Sequence, residues 1–157
     1  MTTRPRALSL LLPDPDATDA VARRMAARLA PGDCVLLAGP IGAGKSHLAR
    51  AAIRALTHPD QEVPSPTYTL MQGYETAAGP LWHLDLYRLA EPEELAELGL
   101  DEVVEGAISL IEWPERLGPL LPARHLSVVL AQEGHGRRMD VTATGPGWDD
   151  MMREIAG

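Results

Sequence analysis

Gly39-Pro40-Ile41-Gly42-Ala43-Gly44-Lys45-Ser46 fits the spacing G-x-x-x-x-G-K-[ST]. A loop of this kind wraps its backbone round a phosphate with N–H groups pointing inward. It does so in conformations that side chains would block, which is the physical use of its glycines. Lys45 is then placed to reach the β- and γ-phosphates of a nucleotide, and the Ser46 hydroxyl to coordinate Mg²⁺.

Phosphate chemistry with a metal also needs acids near the ion. In Leu81-Trp82-His83-Leu84-Asp85-Leu86-Tyr87, a period of two puts His83, Asp85 and Tyr87 on one face of a strand. A carboxylate between a histidine and a tyrosine suits a metal or water site; a solvated polar face has the same pattern. Glu112 closes Ile108-Ser109-Leu110-Ile111, an apolar run of the buried-strand type, just ahead of Trp113-Pro114-Glu115. Ligands of open α/β sheets sit at the carboxyl ends of strands. Glu112 is therefore placed like the acid of a second nucleotidase motif, with a surface glutamate at a strand end as the alternative. Val63-Pro64-Ser65-Pro66-Thr67-Tyr68-Thr69-Leu70 is expected to stay extended through its prolines. The hydroxyls of Ser65, Thr67 and Thr69 suit a switch-like sensor of a γ-phosphate or its metal, and equally a lead into a strand. Arg137-Arg138 either approaches phosphate or base, or faces solvent beside a turn.

The flanks of the loop must aim it. Cys34–Ala38 has the length of a buried strand. Leu48, Ala52, Ile53 and Leu56 form one face of a helix that His58-Pro59 stops. Strand, glycine loop and helix in that order point a helix N-terminus, with its partial positive charge, at the phosphates. Upstream, Arg4-Pro5-Arg6 and the apolar residues 7–12 read as a first strand and not as a signal peptide. The apolar part is short, and Pro13-Asp14-Pro15-Asp16 follows at once. Asp14 or Asp16 caps a helix on which Ala17, Val21, Met25 and Leu29 recur every fourth residue. Residues 91–98 read as an acidic, solvated helix ended by Gly99. Residues 125–132 and 139–144 form a terminal hairpin, and 148–156 a short last helix. The expectation is one α/β domain over residues 1–157, P-loop NTPase-like, with a mixed, mostly parallel sheet of about seven strands flanked by helices.

At 157 residues, 45% hydrophobic and 23% charged, the chain can bury a real core as a globular protein. A formal net charge of −8 argues against unaided binding to bare nucleic acid, which takes clustered Lys and Arg. RNA would have to be met through a basic partner. The single cysteine, Cys34, excludes an internal disulfide and a thiolate metal cluster, and its apolar setting makes it a small core residue. Without a run of about 18 apolar residues no membrane span is expected, and the chain reads as cytoplasmic.

Five stretches together resemble the bacterial TsaE (YjeE) family, small P-loop ATPases of tRNA threonylcarbamoyladenosine synthesis. They are the Gly39 to Ser46 loop, Ser65-Pro66-Thr67-Tyr68-Thr69-Leu70, His83-Leu84-Asp85-Leu86-Tyr87-Arg88, Glu112-Trp113-Pro114-Glu115 and Gly136-Arg137. Their order and spacing are the family's, and the resemblance covers nearly the whole chain, including Leu12-Pro13-Asp14. It implies that Gly39, Pro40, Ile41, Gly42, Ala43, Gly44, Lys45, Ser46 and His47 hold ATP, with Arg137 toward the nucleotide. Ser46 and Glu112 would serve Mg²⁺, and Asp85 would sit at the metal or the attacking water. Thr67 would belong to a switch-like segment, which makes Lys45, Thr67, Asp85 and Glu112 the expected catalytic set. The implied partners are TsaB and TsaD, which transfer threonylcarbamoyl to adenosine of ANN-decoding tRNA, so that tRNA is met indirectly.

Two departures from the family's loop, Gly-Asp-Leu-Gly-Ala-Gly-Lys-Thr-Thr, bear on rate. Pro40 stands where the aspartate is common, and Ser46-His47 where two threonines are. Serine keeps the metal-binding hydroxyl; the lost carboxylate removes a group that could orient water or touch a partner. His47 reads as a packing or surface residue, not a base. Three functions fit: a weak Mg-dependent ATPase that relies on partner proteins, a small-molecule kinase on the same loop, and a nucleotide-gated assembly module with incidental hydrolysis.

Overall fold

An apolar run without alternation has no polar face to offer water. Cys34–Ala38 (β2) accordingly lies in the middle of the sheet, with Cys34, Val35, Leu36 and Leu37 all buried. The computed structural model describes residues 6–157; Arg4 and Pro5, read above with the first strand, lie outside the described residues. In chain order the other elements are β1 (Arg6–Leu12), α1 (Pro15–Ala26), α2 (Lys45–Leu56), β3 (Met71–Thr76), β4 (Gly79–Asp85), α3 (Glu93–Glu97), α4 (Leu100–Gly106) and β5 (Ile108–Glu112). Two 3₁₀ turns kinked at Gly118 follow over Pro114–Leu120, then β6 (His125–Glu133), β7 (Gly136–Thr144) and α5 (Asp149–Ala156).

The strands form one mixed seven-stranded sheet in the order β1-β7-β6-β2-β5-β4-β3. Parallel pairing is confined to the central run β6-β2-β5-β4. The outer pairs β1–β7, β7–β6 and β4–β3 are antiparallel, so the sheet is less parallel than the sequence predicts. For β3–β4 and β6–β7 connection length is the reason. Only Ala77 and Ala78 join β3 to β4, and only Gly134 and His135 join β6 to β7. A parallel pair needs a crossover of a dozen or more residues.

Capping follows the sequence closely. Asp14 accepts from the Ala17 N–H at 2.9 Å and starts α1, which buries Val21 and Met25. Gly99 ends α3 in the left-handed region at φ 77°, and α4, which the sequence reading lacks, begins at once. The segment around Ser65 departs from its expected form. It is extended only to Ser65; from Pro66 it closes a turn in which the Leu70 N–H donates to the Pro66 carbonyl at 2.7 Å. Proline restricts the residue before it and presets its own φ for a turn, so the second proline begins the bend.

Both faces of the sheet are covered. Val35 and Leu37 join the core under α1, α2 and α5, whereas Cys34 and Leu36 pack on the α3–α4 side with Leu84, Leu86 and Ile111. Burial pushes the Cys34 thiol up to about 12, which keeps it protonated and chemically quiet. No helix among the described residues is long and apolar enough to cross a membrane.

Where β2 leaves the sheet, Gly39 has φ 136°, and a Cβ there would overlap the Leu130 carbonyl of β6. Gly39→Ala is expected to cost about 2–4 kcal/mol, combining backbone strain with overpacking against rigid main chain. Urea unfolding of the variant checks this; a midpoint equal to the parent's would mean that the β2–β6 junction yields.

Candidate nucleotide and metal site

Because β2, β4 and β5 run parallel, their carboxyl ends meet on one edge of the sheet. The loop that begins at Gly39 leaves the end of β2 there, Asp85 is the last residue of β4 and Glu112 the last of β5. Asp85 and Glu112 are register partners on adjacent strands. Lys45, Ser46, Asp85 and Glu112 line one cavity of about 290 Å³, with Gly42, Gly44 and Trp113 completing its wall.

The loop presents unspent donors. Gly44 precedes α2 at φ 104°, a conformation open to glycine and closed to most side chains, and no side chain caps the helix. Among the described residues no protein acceptor meets the N–H groups of Gly44, Lys45 or Ser46. A helix start left in this condition is an anion site. Lys45 lies folded back: its Nζ donates to the Gly39 carbonyl at 2.6 Å and sits 3.4 Å from the centroid of the Trp113 ring. Burial lowers the Lys45 ammonium from its ordinary range, while Glu112, Glu115 and Asp85 pull it the other way. A triphosphate in the cavity would add the negative charge that this cation lacks.

The two acids are held differently. Asp85 takes the Thr67 hydroxyl on Oδ2 at 3.0 Å and the Tyr87 N–H on Oδ1 at 2.9 Å. The second contact turns the chain off the sheet. Tyr87 therefore does not share a strand face with His83 and Asp85 as its spacing predicts; it is exposed, and its ring meets Trp113 at 5.1 Å. Glu112 takes the Ser46 hydroxyl on Oε1 at 2.9 Å, and its Oε2 lies 2.6 Å from His83 Nε2. Both His83 and Glu112 are 2% exposed, and His83 Nδ1 is buried without a partner.

Ser46 Oγ and the Glu112 and Asp85 carboxylates are hard oxygen donors facing one cavity, which suits Mg²⁺. Among the described residues no three His, Cys, Asp or Glu side chains converge to hold an ion without help.

The remaining expected residues fall around this centre. Pro40 and Ile41 form the exposed tip of the loop, the Pro40 carbonyl accepting from Ala43. Arg137 reaches back from β7, Nη2 donating to the Gly42 carbonyl at 3.1 Å, whereas Arg138 turns away to Asp140. His47 bonds Asp19 of α1 at 2.7 Å and borders both the phosphate cavity and a second cleft of about 180 Å³. That cleft lies between Leu12, Thr18, Ala43, Leu130 and Arg137. Trp113, absent from the expected site, stands in its wall, and His83, expected beside Asp85, instead backs Glu112 from beneath. The signal for His83 is its place two residues before Asp85 on a period-two strand. Trp113 adopts φ 60° between Glu112 and Pro114, a strained backbone that spacing does not reveal.

Comparison with known proteins gives the family and the fold. The family model for "Threonylcarbamoyl adenosine biosynthesis protein TsaE" matches residues 12–139. The tRNA threonylcarbamoyladenosine biosynthesis protein TsaE of Rickettsia felis is 38% identical over 130 residues, covering 83% of this chain and 76% of its own. The protein of that name from Bacillus subtilis is 33% identical over 145 residues, covering 91% and 90%. The crystal structure of YdiB from Bacillus subtilis superposes with a TM-score of 0.82 at 28% identity, over 99% of this chain and 97% of that one. With its nucleotide-binding P-loop, its mixed seven-stranded sheet and these relatives along most of its length, the chain belongs to the TsaE family.

Proposed function

We propose that this chain is the Mg-dependent ATP-binding and ATP-hydrolysing subunit of a tRNA threonylcarbamoyladenosine pathway, acting in the cytoplasm beside TsaB and TsaD proteins. The observation that carries the reading is the single cavity in which Lys45 and Ser46 of the loop face Asp85 and Glu112 from two neighbouring strands. In it the free amides at the start of α2 and Lys45 bind the phosphates, while Ser46 and Glu112, with Asp85 behind, hold the metal. A bound Mg²⁺ neutralises charge on the phosphates. The protein's own share is position: Asp85, fixed by Thr67 and the Tyr87 amide, orients water or the metal's shell. The neighbouring cleft, apolar at Leu12, Ala43 and Leu130 and polar at Arg137, suits the adenine and ribose.

Hydrolysis by the isolated chain is slow in this reading. The only arginine touching the loop, among the described residues, spends its contacts on the Gly42 and Gly136 carbonyls. Ile41 lines this cavity and, with Tyr87, the one adjoining it, and the two side chains are 76% and 43% exposed. Large exposed apolar and aromatic groups round a nucleotide site suit a protein partner that completes it.

Single-turnover hydrolysis, measured with and without TsaB and TsaD, tests the proposal. Asp85→Asn is expected to lower the stimulated rate about 10²-fold while leaving ATP bound. A second reading, gating without a need for hydrolysis, draws on the Thr67–Asp85 bond, which ties the Ser65–Leu70 segment to the cavity. If tRNA modification ran unabated over many turnovers with Asp85→Asn, gating would replace catalysis as the function.

A further inference from the structure

On the side of α2 away from the acids, α1 and α2 leave a groove of about 340 Å³. Asp19 and Arg23 line it from α1, and His47, Arg50 and Arg54 from α2, over a floor that includes Ala51. The spacings, four residues on one helix and three and four on the other, put each set on one face. The electrostatics of this groove run against the rest of the molecule. The chain has 22 acidic against 14 basic residues. Elsewhere most of the described arginines meet acceptors: Arg28 with Glu154, Arg124 with Asp33, Arg138 with Asp140, Arg24 with two carbonyls of α5, while Arg88 lies over the Tyr68 ring.

Inside the groove Asp19 is engaged by His47, and Arg54 spends its Nε on the Gln61 carbonyl at 3.1 Å. Among the described residues neither Arg23 nor Arg50 has a carboxylate within salt-bridge distance or an acceptor for its guanidinium. Two unspent planar forks facing one cleft are suited to carboxylates or phosphates. The net charge of −8 decides between these. A nucleic-acid strand brings many charges into a repelling field, whereas a short peptide brings two or three. Ala51 and Ala55 also leave room for a small apolar side chain between the charges, which a phosphodiester backbone does not supply.

We propose that the α1–α2 groove docks an acidic segment of a protein partner, its carboxylates on Arg23 and Arg50 and an apolar side chain against Ala51. His47, next to Ser46, borders this groove as well as the nucleotide cavities, so a docked segment would bear on the first turn of α2. The groove lies outside the phosphate cavity, and the inference does not rest on ATP hydrolysis.

The test is an amide-resolved titration of the full chain with a twelve-residue peptide alternating Glu with Ala and Leu. Its lysine counterpart, an oligouridylate of equal charge and inorganic phosphate serve as comparisons. Shifts at Arg50, Ala51 and Ala55 with the acidic peptide are expected. Arg23→Gln with Arg50→Gln should weaken that binding at least about tenfold, with MgATP affinity unchanged as proof of folding. Ala51→Leu, which fills the floor without removing charge, should weaken it as well. Tighter binding of oligouridylate would make this a nucleic-acid site, and equal shifts with phosphate a small-anion site. Either result overturns the proposal, as would peptide affinity that survives the double substitution.

Discussion

Lys45→Ala is expected to weaken ATP binding roughly 10²-fold or more while leaving the fold in place. In the free protein Lys45 is tied to the Gly39 carbonyl and to the face of Trp113. A hydrogen bond of this kind contributes about 1–2 kcal/mol and the ring contact about 0.5–2. Against these stands the cost of burying an ammonium, visible in its lowered pKa. Truncation also leaves Asp85 and Glu112 side by side with less positive charge between them. These terms offset, so unfolding free energy should fall by only about 1–2 kcal/mol. Nothing offsets the loss in the complex, where charge-assisted bonds to two phosphates disappear and affinity drops roughly 10²-fold or more. Calorimetry with MgATP beside thermal melting separates the two effects. A variant that melts with the parent and still binds ATP would remove Lys45, and with it the phosphate reading of the loop.

The second large effect is expected at the Glu112–His83 pair. When Glu112 is a carboxylate it accepts at both oxygens, so His83 carries its proton on Nε2 and leaves Nδ1 as a bare lone pair. Glu112→Gln can still accept from Ser46 but then turns its amide N–H toward Nε2, donor against donor. In that orientation the imidazole must shift its proton to Nδ1, where a buried N–H finds no acceptor, while the flipped amide keeps the His83 bond and turns Ser46 from donor to acceptor, away from its metal-facing role. Such an unmade donor costs about 1–3 kcal/mol, and the weakened metal side should cut the Mg²⁺-dependent gain in ATP affinity about 10–100-fold. His83→Leu removes the clash and the positioning together. It should lose about tenfold in that Mg²⁺ dependence with ATP affinity in EDTA unchanged, and His83→Gln, which keeps a donor, should recover most of it. In the double variant part of the stability lost by Glu112→Gln should return, a coupling read directly from the mutant cycle. If His83→Leu left the magnesium dependence intact, the histidine would be core packing only.

What was legible in the amino acids is what acts over a few residues. The G-x-x-x-x-G-K-S spacing, the apolar run of β2, the Asp14 cap and the terminal hairpin are all local chemistry, and the structure has them where the sequence places them, save that β7 begins at Gly136 and not at Met139. The acids Asp85 and Glu112 could be nominated because each ends an apolar run. Their meeting is a separate matter. It depends on β5 entering the sheet between β2 and β4, a choice made by burial of both sheet faces and not by any nearby residue. The same choice set His83 against Glu112, raised Trp113 under Lys45 and put Thr67 on Asp85. Periodicity reports which face of a strand a residue occupies, but the neighbour of that strand is selected by long-range packing, and this site is made of neighbours.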